Sequence, residues 1–185
     1  MSTKIRLDIQ HRLHGRFNLD TKNLEKKFLK LKPVWKRQEK KILNGLKKVT
    51  GLDFAMNYID VFLVDRESVK NSISHPLILR VNKSMERNLC IFIHELIHNL
   101  MWDNIQKDNW SIKIQKLYPN ESKKTAIHIA VHAILEMVYT DILKEPNEIV
   151  KDIQESHKFP DYRKAWGIVK QEGYKNIIKK LKSSK

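Results

Sequence analysis

The chain of 185 residues contains one cysteine, Cys90, so no internal disulfide can form and a reducing compartment is expected. Glycine and proline are scarce, at five each, and no Gly/Ser-rich linker, internal repeat or low-complexity segment divides the sequence. A single domain over 1–185 is therefore expected, with a basic helical segment at about 20–50 and further helices at about 146–185. No uninterrupted apolar run approaches the ~18–20 residues that span a bilayer, so no membrane span is expected. The opening Met-Ser-Thr-Lys-Ile-Arg-Leu-Asp lacks an apolar core, which argues against a secretory signal and for a cytoplasmic location. Acidic residues are few beside basic ones, 21 against 36, and the formal net charge is +15.

Hydrophobic residues make up 41% of the chain, enough for a packed core rather than a disordered polycation. The basic excess raises nucleic acid as a partner, although its lysines, densest at 22–48 and 175–185, are not spaced like a DNA-reading motif. Trp35, Trp102, Trp110 and Trp166 share no stacking pattern with the basic residues and are expected in the core or at its rim. His11, His14, His75 and His157 are scattered and receive no role.

Alternation of Ile5, Leu7 and Ile9 predicts a short strand over 4–10. Asp20 or Thr21 can start the basic helix, Pro33 is expected to interrupt it and Gly51 to end it. Phe54 to Asp65 reads as a strand or hairpin, and His75 to Val81 as a strand whose Pro76 suggests a sheet edge. Helices are then expected at 85–104 with Ser84 as cap and at 122–144 with Ser122 as cap. Two more are expected near 146–156 and 160–181, with Asp161 as cap of the second. A small early sheet followed by helices gives an α+β fold class.

The chemistry concentrates in His94-Glu95-Leu96-Ile97-His98, an HExxH pattern inside an apolar run. Residues four apart stack on one helical face, so both imidazoles can reach one metal ion. Glu95 projects about 100° from His94, beside such an ion and placed to take a proton from bound water. Imidazole and carboxylate groups on a helix apolar nearly all round need partners, and a metal with its water supplies them. The plainer alternative is a metal-free core helix. Cys90 reads as a small core residue rather than a thiolate ligand.

A third ligand must lie downstream. His128, His132 and Glu136 fall at i, i+4 and i+8 on one stripe of the helix at 122–144, with Tyr139 close to the same line. The pattern resembles that of zincin metallopeptidases, which implies either His132 as ligand with Glu136 four residues on to orient it, favoured on spacing, or Glu136 itself as ligand. His128 and Tyr139 are candidates for stabilising a developing oxyanion. Asp103 is either an acid supporting the site or a solvated helix end.

HExxH with this element order resembles the zincin metallopeptidases over about residues 54–144. The resemblance is to gluzincin-like or SprT-like members and not to metzincins, because Met101 and Asn104 stand where the metzincin glycine and third histidine would be. It implies a small mixed sheet, a buried active-site helix, a later helix giving the third ligand, and one Zn2+ per chain. It also implies hydrolysis of peptide bonds by a metal-activated water with Glu95 as general base. The peptide substrate is expected to pair along an edge strand at 77–81. The alternative is a basic nucleic-acid-associated protein, with a structural zinc site or acting on DNA-bound protein substrates.

Overall fold

The computed structural model describes residues 3–9, 21–64, 70–81 and 84–184. The expected cap at Asp20, and His11 and His14, lie outside the described residues. The elements are β1 (Lys4–Ile9), α1 (Thr21–Thr50), β2 (Tyr58–Val64), β3 (Ile73–Ser74), β4 (Leu77–Arg80), α2 (Met85–Asp103), α3 (Trp110–Leu117) and α4 (Lys123–Met137). A π-helical segment (Val138–Leu143) then leads into α5 (Asn147–Ser156), α6 (Pro160–Glu172) and α7 (Tyr174–Ser183). The class is α+β. The elements group into two compact units, Met1–Lys40 with Met56–Asn99, and Lys41–Ala55 with Leu100–Lys185.

In the first unit the strand order is β1-β2-β4-β3. β2 runs parallel to β1 and to β4, while β3 is antiparallel to β4. Parallel neighbours need a long crossover, and α1 provides the one between β1 and β2. Ile59, Val61 and Leu63 of β2 alternate into the core with Leu77 and Leu79 of β4. Trp35 of α1 meets Phe92 of α2, ring centroids 4.5 Å apart. Asn99 of α2 donates to the Ser74 carbonyl, 3.1 Å, tying the helix to β3.

Two expectations are corrected here. α1 continues through Pro33, because Leu24, Leu31, Trp35, Ile42 and Leu46 bury one continuous stripe that offsets the roughly 3 kcal/mol a mid-helix proline costs. Gly51, φ +76°, ends α1 as its sequence position suggests. β4 is internal and not an edge. Residues 70–74 occupy its outer side, where Ser72 Oγ accepts from the Arg80 N–H at 3.0 Å and the Arg80 guanidinium reaches the Lys70 carbonyl. The strand at 77–81 therefore has no open side for an extended peptide.

In the second unit α4 packs against α3, α6 and α7. Lys123–Leu143 is long and apolar enough to cross a membrane by composition, mean hydropathy 1.4, but 72% of it is buried inside the protein, as in a core helix. Ser122 caps α4 as expected, accepting from the Thr125 N–H at 3.0 Å. Asp161 does not cap α6. Its carboxylate accepts from the Ser122 and Thr125 hydroxyls at 2.8 and 2.9 Å, which holds its pKa below the usual carboxylate range and ties the starts of α4 and α6 together. The expected helix at 160–181 is two helices, since Gly173 takes φ +80° between them. The short helix α3 carries no expectation from the sequence; it is capped by Asn109, which accepts from the Ile112 N–H. Trp35, Trp110 and Trp166 are buried as expected, whereas Trp102 is exposed.

Two glycines probe this packing. A Cβ added at Gly45 overlaps Ile142 Cδ1 and meets its Cγ1 at 2.9 Å, whereas at Gly167 it meets open space. Gly45→Val is expected to cost about 1–3 kcal/mol by overpacking. Gly167→Ala in exposed α6 is expected to add about 0.5–1 kcal/mol. Urea unfolding checks both, and an unchanged midpoint for Gly45→Val would contradict the close approach.

Candidate metal centre

Helix α2 forms because Leu89, Cys90, Phe92, Ile93, Leu96, Ile97, Leu100 and Met101 all gain burial. Its start is fixed by Ser84, whose Oγ accepts from the Arg87 N–H at 3.3 Å. Between these apolar positions stand His94, only 8% exposed, and the half-buried Glu95 and His98. The two imidazoles converge, with Nε2 atoms 3.2 Å apart and ring centroids 4.9 Å apart.

That spacing has chemical content. Two nitrogens bound tetrahedrally at about 2.0–2.1 Å from one zinc ion lie about 3.3–3.4 Å from each other. The α2 pair, at 3.2 Å, already holds close to that span. Burial pushes the Glu95 carboxyl up from an ordinary value near 4.5 to about 7.

α4 carries the remaining candidates. The carbonyl of Lys124 accepts from His128 Nδ1 at 2.7 Å, so Nδ1 holds the proton and Nε2 keeps its lone pair. Burial lowers the pKa of His128, which favours the same neutral form. The ring of His128 lies 4.1 Å, centroid to centroid, from Tyr162 of α6. The ring of His132 lies nearly parallel to the Trp166 indole, at 4.3 Å and 11°. Trp166 is held in turn by the buried Asp152 of α5, which accepts from its indole N–H at 3.1 Å.

His94, His98 and His128 make a histidine cluster that could hold a metal ion. The three-ligand group found among the described residues contains neither His132 nor Glu136, the two expected from spacing. Each has another engagement. His132 stacks face to face on Trp166, and Glu136 accepts from Lys170 Nζ at 2.7 Å. Tyr139 is buried within the π segment. Cys90 is a buried core residue outside the cluster. Asp103 neither joins the cluster nor faces water alone; its carboxylate accepts from the Ala55 N–H at 2.9 Å and pins the chain after α1.

Of the residues around His128 and His132, Tyr162 and Asp152 received no role from the sequence, Trp166 was expected only as core or rim packing and Asp161 only as a helix cap. One signal for them exists: Tyr162 and Trp166 are four apart, the same step that separates His128 from His132. No protein-family profile, curated protein or solved structure matches the chain.

The buried carboxyl carries a stability signature in metal-free protein. Folding raises the Glu95 pKa from about 4.5 to about 7, so the stability this group contributes is fully present below about pH 4.5 and is lost as pH rises through 7. In chelator, Glu95→Gln should melt above wild type at pH 8, with the gap closing towards pH 5. A gap independent of pH would refute the burial assigned to this carboxyl.

Proposed function

We propose that the chain is a zinc-dependent peptidase of zincin type in which His94, His98 and His128 hold the metal and Glu95 is the general base. The observation that carries this reading is the 3.2 Å separation of His94 Nε2 and His98 Nε2 on successive turns of a buried helix, with Glu95 between them in sequence. A metal fits the donor set: three imidazoles, that of His128 with its tautomer set by a backbone carbonyl, match the ligand complement of an open catalytic zinc site.

When bound, zinc supplies a Lewis acid that brings the pKa of a coordinated water towards 7. Glu95 contributes the base, its carboxylate accepting the proton of the attacking water and returning it to the leaving amine. In the metal-free chain burial raises the Glu95 pKa to about 7, and a cation bound beside it would draw it down towards the carboxylate form that accepts a proton. His94 and His98 hold their positions through the apolar α2 surface around them, and His128 through Lys124 and Tyr162. Peptide as the substrate class follows from the resemblance of the HExxH helix to zincins.

The test combines elemental analysis with peptide cleavage. Wild type should carry about one zinc per chain, and His94→Ala, His98→Ala or His128→Ala should lose it. His132→Ala should retain it. Glu95→Gln should keep the metal while cleavage falls about 10²–10⁴-fold. Zinc absent after reconstitution, or full cleavage by Glu95→Gln, overturns the proposal.

A further inference from the structure

We propose that the solvent face of α1 between Lys22 and Lys40 is a docking surface for duplex DNA, engaged through its phosphates without reading sequence. Lys22, Lys26, Lys30, Lys32, Lys36, Arg37 and Lys40 are all exposed on this stretch, and Glu25 is the one exposed acid among them. At 100° per residue the seven cations fall within about 160° of the helix circumference, and at 1.5 Å per residue they extend about 27 Å. Leu24, Leu31 and Trp35 point the opposite way and are each 1% exposed. Among the described residues, none of the seven is held in an ion pair. The other polar chains of this stretch are used elsewhere: Lys27 donates to the Val81 carbonyl and Glu39 accepts from the Ile5 N–H.

A ridge of seven cations that are unneutralised by described neighbours suits a partner whose negative charge is dense and linear. Duplex DNA carries one charge per about 1.7 Å of axis, so phosphates are available along the whole ridge. An anionic bilayer fits less well, since lying on a membrane requires an apolar face and that of α1 is buried in the protein. Single strands are held by stacking on aromatic rings, and the exposed positions between Lys22 and Lys40 include none. Base readout also lacks its usual instruments: apart from Arg37, the face offers no Arg, Asn or Gln. What remains is the phosphate backbone. Glu25, Leu29 and Pro33 share the face and carry no positive charge, so the cations form a band with gaps.

Fluorescence anisotropy with a labelled 20-base-pair DNA tests this on the full chain. Seven phosphate contacts would give a slope of log K against log [salt] of up to about −6, and between 50 and 200 mM salt a loss of affinity on the order of 10³-fold. A triple reversal, Lys26→Glu, Lys30→Glu and Arg37→Glu, should make the slope shallower by about 3. All three sites are exposed and glutamate is a good helix former, so the fold should persist, which circular dichroism checks. A second triple reversal, Lys116→Glu, Lys179→Glu and Lys182→Glu, changes net charge equally at exposed positions on α3 and α7. A loss confined to the α1 variant supports the proposal. Equal loss in both variants, no wild-type binding at 50 mM salt, or tighter binding to a single strand or to anionic phosphatidylserine vesicles overturns it. Each readout is binding alone, so none depends on zinc or on peptide cleavage.

Discussion

Taking a polar side chain out of water is expensive unless it finds partners, and helix α2 carries three polar side chains in one turn. His94, Glu95 and His98 stand in a segment where almost every neighbour is fully buried. The helix cannot turn these groups to solvent without exposing Phe92, Ile93, Leu96 and Ile97 in their place. Their orientation is thus set by the hydrophobic burial of the rest of the helix. The convergence of the two Nε2 atoms, and the raised Glu95 pKa, both follow from that constraint. Side chains placed this way draw their precision from the core and need little support from loops.

Much of this was readable in the sequence because it depends on local periodicity. The HExxH spacing fixes which residues share a face, and Ser84, Ser122 and Gly51 mark helix ends through chemistry confined to a few residues. The small sheet and later helices, and hence the α+β class, follow from the same patterns. Where tertiary contacts decide, sequence reasoning fell short. Pro33 breaks helices on intrinsic grounds, but the buried stripe on both sides of it outweighs that preference. The status of β4 depended on whether residues 70–74 fold back onto it, and no local signal in Leu77–Arg80 records this. On α4, His128 and His132 lie on one stripe, and what separates them is their partners on α6, Tyr162 for one and Trp166 for the other.

The net charge divides similarly into what composition tells and what only the fold reveals. Composition gives +15, yet lysine spread evenly over a surface and lysine gathered on one helix face are indistinguishable at that level. Helical periodicity between Lys22 and Lys40 separates them, because the buried apolar residues there take one side while the cations gather on the other. Proline suits that outer side: Pro33 is exposed, so its ring displaces no core side chain.

The π-helical segment Val138–Leu143 adds a point about chain length. A π turn accommodates one residue more than the α-helical turn it replaces, and leaves the helix before it undisturbed. α4 therefore keeps His128 and His132 opposite Tyr162 and Trp166, whereas Asp141, inside the widened turn, accepts from the Tyr174 hydroxyl at 3.1 Å. The segment acts as a spacer that takes up length at one end of a helix whose other end is committed to the histidines. In relatives of this chain, single-residue insertions and deletions should accordingly collect at 138–143 and spare 123–137.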